Sequence, residues 1–410
     1  MTITVSGRAV AAPAPSPLRH SLIAGLGVSQ IVSWGTLVYS FPLLAEPTMW
    51  EFSLGKADVY LLASMSLVVA ALVAYPVGVL IDRGHGRTVM GMGSVLAGLG
   101  FLVWSQVQAA WQLYPVFLLL GLVQAMSLYD AAFAVVARLS GADARRAITA
   151  LTLWGGFAST ALVPVAQLLL DTYGWRGTLV ALGFSNLAIA ALVITILSER
   201  LPEVRAETGP APLTPAANPL RQVITKPAFW LLLVSFAVYT GIFSALSYHL
   251  YPLLTERGFE AAAVVGAIAV IGPAQVAGRI VVSALAGRVP ISRLGSVIVA
   301  GFPLAALLLL ITGSNLLLVY VFAALYGAAN GIMTIVRGMA VPEMLTRDGY
   351  GATSGAMGAP ATAAKAAAPV LGALLWQAFG SYDALVVCAM VGALIVAVCF
   401  WAAATTSQSV

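Results

Sequence analysis

The chain has 410 residues, 60% hydrophobic and only 9% charged, with a formal net charge of +5 and a mean hydropathy of +0.97. A soluble domain carries roughly a quarter charged residues, so this chain cannot clothe itself against water and its main solvent must be lipid. The arginines are scattered between apolar segments without a basic run, which excludes a nucleic-acid binder.

In chain order, residues 1–19 contain Pro13, Pro15 and Pro17 and lack the apolar core of a secretory signal. They read as a cytoplasmic tail, followed by an anchor that stays in the membrane. About 20 apolar residues cross the bilayer core. Twelve stretches meet that need: 20–45, 58–81, 88–108, 111–138, 147–170, 176–198, 227–254, 261–286, 293–313, 316–341, 351–378 and 382–403. The expected fold is all-α integral membrane, with 12 transmembrane helices in two six-helix bundles, 20–198 and 227–404. A charged, Pro-rich linker, 199–226, joins them, and 405–410 forms a short tail.

Lys and Arg set the orientation of such a chain. Arg83, Arg87, Arg138, Arg145, Arg146, Arg221, Lys226 and Arg293 fall on one side, with Lys56, Arg176 and Arg257 on the other. This places both termini in the cytoplasm and predicts a multi-pass protein of a bacterial-type inner membrane.

The halves repeat. Pro42-Leu-Leu-x-Glu46 recurs as Pro252-Leu-Leu-x-Glu256, 210 residues on. Pro164 and Gly174 recur as Pro369 and Gly380, and Gly86-Arg87 as Gly287-Arg288. Repeated halves around a midplane site are the plan of an alternating-access carrier.

The loop after the second stretch reads Gly78-Val-Leu-Ile-Asp82-Arg83-Gly-His-Gly86-Arg87. It resembles the major facilitator superfamily motif G-x-x-x-D-R-x-G-R, with one extra residue before the final Gly-Arg. The resemblance implies that Asp82 contacts a helix end and an Arg of its own half, and helps latch a closed outer gate. Three further features look like the monocarboxylate and oxalate/formate branch: Arg145-Arg146 followed by Gly155-Gly156, Gln275-x-x-x-Arg279, and Ala364-Lys365-Ala366. The branch carries Asp where Gln275 stands. The resemblance implies that Arg279 and Lys365 hold a substrate carboxylate.

An ionisable side chain at the centre of a membrane helix costs about 2.5–3.5 kcal/mol on insertion scales and so needs a wet cavity or a partner. Lys365 lies mid-helix and reads as cavity-facing, or as the partner of Asp130. Arg279 offers paired donors suited to a carboxylate. Asp130 is either a proton-coupling group or half of an ion pair with Arg337, whose repeat position lies beside it. Arg337 is also near enough to the surface to snorkel. His249 titrates in a useful range. Trp34, Tyr39, Tyr129, Gln275, Asn330 and His249 complete the candidate substrate wall.

No nucleophile–base pair, phosphate loop or metal cluster stands in the sequence, so no enzyme activity, metal or cofactor is expected, and work must come from gradients. The two cysteines, Cys388 and Cys399, read as core residues. The function expected is a monomeric secondary transporter for a small organic anion, mono- or dicarboxylate, driven by protons or exchange. The competing expectation is efflux of amphipathic drugs or metalloids.

Overall fold

The structure is a computed structural model and describes residues 18–140, 143–198, 219–284, 289–346 and 348–407. The expected N-terminal tail before residue 18 and most of the linker, 199–218, lie outside the described residues, as do Gly287-Arg288.

Twelve spans cross the fold among the described residues. Span 1 runs Leu18–Trp34, loosens into a π-type turn at Gly35–Tyr39, and restarts as Phe41–Phe52. Span 2 is Lys56–Leu80 and span 3 Gly86–Ser105. Span 4 is broken at Leu128 into Leu113–Ser127 and Tyr129–Ser140. Span 5 begins as Ala144–Gly156; the continuous stretch Ala158–Ser198 completes it and carries span 6. Gly174, at φ +66°, turns the chain between them. Spans 7 to 10 are Pro227–Glu256, Ala261–Ala284, Ile291–Ile311 and Leu316–Ala340. Spans 11 and 12 are Tyr350–Phe379 and Asp383–Thr406. Eight described stretches are long and apolar enough to cross a membrane. Two of these, Leu61–Ser105 and Ala144–Ser198, hold two spans each. Span 8 has a shorter apolar core, Gly266–Val282, and span 11 is diluted with Ala, Gly and Thr.

The repeat is written in backbone geometry. Gly380, the counterpart of Gly174, also adopts positive φ, +69°, at the equivalent turn. Gly121 lets span 4 close on the Ser66 carbonyl of span 2, and Gly327 lets span 10 close on the Ile271 carbonyl of span 8. Small residues permit such backbone contact between membrane helices.

Each half is tied at the end away from the Asp82 loop. In the first half Glu51 pairs with Arg176 and accepts the Trp175 indole N–H at 2.8 Å. In the second half Glu256 accepts the Trp376 indole N–H at 2.7 Å, and Arg257 pairs with Asp383 at 2.9 Å. The carboxylate that matches Glu256 in role is therefore Glu51, five residues beyond the Glu46 that the sequence match suggested. The restart after the π-type turn extends span 1 and carries the working acid to its end.

Pro369 removes the helical bond that would reach the Lys365 carbonyl, four residues earlier. The Ser244 hydroxyl of span 7 donates to that oxygen instead, at 2.7 Å. The His249 ring meets the Pro369 carbonyl at 2.8 Å. Span 7 is thereby stitched to span 11 beside Pro369, where the Lys365 carbonyl lacks its helical donor.

Candidate functional site between the two halves

The ties that join the halves begin at the Asp82 loop. The residue inserted in the motif is absorbed as a π-type turn, Ile81–His85, in which Gly84 takes φ +96°. The turn leaves Asp82 aimed at span 11. Its carboxylate accepts from the backbone N–H groups of Gly351 at 2.8 Å and Ala352 at 2.7 Å. These are orphan donors of a helix N-terminus, where negative charge is favoured. The sequence expectation needs two corrections. The helix end belongs to the other half, and Arg138 donates to the Asp82 main-chain carbonyl and not to its carboxylate. Gly78 allows the approach, since a Cβ there would overlap the Gly351 carbonyl. Gly86 packs on Val135, Arg87 reaches Ser198 at 3.1 Å, and Arg83 is exposed.

Span 11 then carries a ladder on one face. Gly351, Gly358 and Lys365 follow at intervals of seven, almost two full turns, or about 10 Å each. At the first rung lies the Asp82 latch. At the second, a Cβ on Gly358 would lie 3.5 Å from an Asp130 carboxylate oxygen and 3.8 Å from Arg337 Nη2. Asp130 of span 4 and Arg337 of span 10 are paired there through both carboxylate oxygens, at 2.9 and 3.1 Å. Arg337 therefore does not snorkel: a carboxylate of the other half holds it. At the third rung is Lys365, half-buried, close enough to Arg337 and Asp130 to feel both charges. Among the described residues its amine has no hydrogen-bond or salt-bridge partner.

A second cluster lies around Arg279. Trp34 and Tyr39 flank the π-type turn of span 1, with ring centroids 6.2 Å apart, and Tyr129 follows the break in span 4, its ring 4.9 Å from that of Trp34. Three wall residues thus sit at two helix irregularities, where π-bulges often mark functional sites. Tyr39 and Tyr129 both lie in the field of the Arg279 guanidinium. Arg279 itself is only 6% exposed. Its Nη1 crosses the seam to the Thr152 carbonyl of span 5 at 3.1 Å, and its Nε donates to the Gly331 carbonyl of span 10 at 3.3 Å.

Other candidates lie elsewhere. His249 sits in the span 7–span 11 seam inside the second half, away from the aromatic wall. Asn330 is buried and turned back on its own helix, donating to the Tyr326 carbonyl at 3.0 Å. Gln275, half-buried, is one turn before Arg279, with its carbonyl against Gly331. Lys365 and Arg279 have different neighbours, and Tyr239 of span 7 is in the fields of both Arg279 and Arg337.

Sequence reasoning missed Glu343. It caps span 9 through the Ile291 N–H at 3.0 Å and faces Arg145 of the other half at 3.8 Å. An isolated acid on the side that holds most of the cations was the available signal. By contrast, Glu51–Arg176 and Arg257–Asp383 each stay within one half. The inter-half ties described above lie at the Asp82 end or around Arg279.

The comparisons with known proteins speak to the family and the fold. The family model described as Major Facilitator Superfamily matches residues 24–356. The chain belongs to that superfamily. Human monocarboxylate transporter 11 is similar to this chain, at 33% identity over 294 residues. The match covers 70% of this chain and 57% of the human one, so the chain spans little more than half the length of that relative. Among solved structures, the human organic anion transporter MFSD10 (TETRAN) superposes with a TM-score of 0.72 at 16% identity, covering 95% of this chain and all of that one. A bacterial homologue of the iron transporter ferroportin, in its outward-facing state, gives 0.73 at 16% identity over the same shares. At these identities the two structures speak for the fold alone. The chain is a multi-pass membrane protein and not an enzyme.

Proposed function

We propose that the chain is a secondary carrier of a small organic anion bearing one or two carboxylates, moved by alternating access. The observation that carries this reading is the Lys365 amine, at the middle of span 11 and without a partner among the described residues. A cation so placed needs water or an anion. An anionic substrate supplies the missing charge only while bound, which lowers the barrier for the occupied carrier relative to the empty one. The similarity to a monocarboxylate transporter supports the same class.

In this reading both termini and the Asp82 loop face the cytoplasm of an inner-membrane protein, and the described state is closed on that side. Asp130 is a candidate for proton coupling, since protonation would release Arg337. The test is a thermal-shift panel of purified protein against acetate, pyruvate, benzoate, oxalate and succinate, alongside amphipathic cations. A ligand of the folded state raises apparent stability by RT ln(1 + [L]/Kd). The reading expects stabilisation by at least one carboxylate and its loss in Lys365→Ala. Stabilisation by amphipathic cations alone would replace it with the efflux reading.

A further inference from the structure

Spans 1, 4 and 5 are each interrupted once. The π-type turn Gly35–Tyr39 closes with the Ser40 N–H on the Gly35 carbonyl at 2.9 Å, five residues back. Span 4 breaks at Leu128, which is extended at ψ −171°. Span 5 breaks at Phe157, whose N–H bonds the Trp154 carbonyl, three residues back. The interruptions lie at one level. The Trp34 ring is 4.9 Å from that of Tyr129, and a Cβ on Gly155 would overlap the Tyr129 hydroxyl. At the repeat offsets, 210 residues for span 1 and 206 for spans 4 and 5, they would fall at 245–249, Thr334 and Ala363, all inside unbroken helices.

The apolar core of the first half is divided at the same level. Leu37, Leu44, Phe101, Phe117, Val123 and Leu182 pack in a distal core, on the side away from the Asp82 loop. Leu26, Met90, Ala131 and Ile189, on the same four spans, join a core that is continuous with the second half. Between the two lies a buried polar layer. Gln30 Nε2 donates to the Ser127 carbonyl at 2.9 Å, and Asn186 Nδ2 to Thr36 Oγ1 at 3.1 Å. Gln30 Oε1, Ser127 Oγ and Asn186 Oδ1 are buried without a hydrogen-bond partner among the described residues. In the second half one core runs from Leu254 and Leu309, near the distal end, to Met344 and Ala403, near the other.

Helices bend where the ladder of backbone hydrogen bonds is broken. A polar layer with unsatisfied atoms also coheres less than packed apolar side chains. Bending is therefore cheapest where both occur together, at the level of Gly35, Leu128 and Phe157. The ties between the halves described above lie at the Asp82 end or around Arg279, and none of them restrains the distal segments.

We propose that this level is a hinge. The distal segments of spans 1, 4 and 5 tilt on it as one unit towards the second half, and close the distal mouth over a bound substrate while the Asp82 latch stays shut. The second half, with unbroken helices and one core through its depth, moves as a rigid body. What the lid encloses rests on the anion-carrier reading; the hinge itself does not.

The first measurement is amide hydrogen exchange of the full chain in nanodiscs, without ligand. Exchange at 36–40, 129–131 and 158–160 should be at least about tenfold faster than at the repeat positions 246–250, 335–337 and 364–366. Equal protection in the two halves would overturn the hinge. The double variant Thr36→Val, Asn186→Leu replaces both partners of one bond in the polar layer by apolar groups and joins the two cores. It should raise the melting temperature and slow exchange at the first-half positions, and unchanged exchange in the folded variant would overturn the role of the layer. The second measurement reads the lid. In a Cys388→Ser, Cys399→Ser background, nitroxide labels at Gln108→Cys and Ser314→Cys, both exposed in distal loops, report the distal mouth by pulsed electron resonance. Labels at His85→Cys and Arg293→Cys report the Asp82 end. With the tightest-bound of acetate, pyruvate, benzoate, oxalate and succinate, the distal distance should shorten and the Asp82-end distance should stay. A carboxylate that binds and leaves the distal distance unchanged overturns the lid while the carrier reading stands. If none of the probes binds, the carrier reading falls, and the hinge stands or falls on the exchange comparison.

Discussion

Asp130 and Arg337 sit almost symmetrically in the two halves, on spans 4 and 10, and meet through both carboxylate oxygens at 2.9 and 3.1 Å. Their side chains are 40% and 30% exposed, so their coupling is modest, on the order of 1 kcal/mol. Asp130→Asn and Arg337→Gln should each lower the melting temperature slightly, and the double variant should lose little more than either single. The exchanged pair, Asp130→Arg with Arg337→Asp, should recover most of the loss. A double-mutant cycle on thermal stability checks this, and strictly additive losses would show that the two charges do not act together.

At the Asp82 latch the stakes per bond are larger, because a charged acceptor serves two backbone donors. Hydrogen bonds to charged groups contribute about 1.5–3 kcal/mol each. Asp82→Ala should shift the equilibrium towards opening at the Asp82 end, and Asp82→Asn less, since the amide keeps one acceptor. The distance between labels on His85→Cys and Arg293→Cys reads the shift directly. Wild-type distances in Asp82→Ala would mean that the latch is idle.

Gly78 tests the same closure by shape. A Cβ there meets the Gly351 carbonyl, which is backbone and cannot swing aside. Gly78→Ala should therefore hold the Asp82 end open and slow transport severely, while leaving each half folded. Thiol labelling of a cysteine placed at Gly358 should rise in this variant, and unchanged protection would show that the helices slide past one another without cost.

A pH effect is expected at the opposite end. Hydrogen bonding from Arg176, helped by Trp175, holds the Glu51 carboxyl below the ordinary carboxylate range. A lowered folded-state value means stability that is present above the unfolded value and lost as pH falls through the folded one. Melting temperature should fall with pH in and below the carboxylate range, and Glu51→Gln should flatten that fall. The group is exposed, so the effect is small.

The fold was legible in the sequence because lipid demands it: a run of about 20 apolar residues reads the same wherever it stands. The repeat was legible through glycine, since Gly174 and Gly380 answer one backbone need, a left-handed turn after spans 5 and 11. The sites were less legible, for specific reasons. Arg279 was a candidate, but its acceptors include the Thr152 and Gly331 carbonyls, and main-chain oxygens leave no mark in a sequence. Arg337 was read both as a snorkelling side chain and as a partner of Asp130, because depth and repeat position pointed different ways, and the structure holds the pair. His249 drew notice as a titratable group, whereas its place is fixed by the carbonyl of Pro369. The π-type turns at Gly35–Tyr39 and Ile81–His85 shift register by one residue, which no periodicity reveals.

The central claim is that a lone cation at mid-depth receives a carboxylate. The most direct measurement is equilibrium binding of the strongest carboxylate from the panel to wild-type, Lys365→Ala and Lys365→Arg protein, each shown to be folded. We predict at least tenfold weaker binding to Lys365→Ala, about 1.4 kcal/mol or more. Little recovery is expected in Lys365→Arg, because a flat fork does not replace a point charge. Equal affinity of wild-type and Lys365→Ala protein for every carboxylate that the wild type binds would contradict the account.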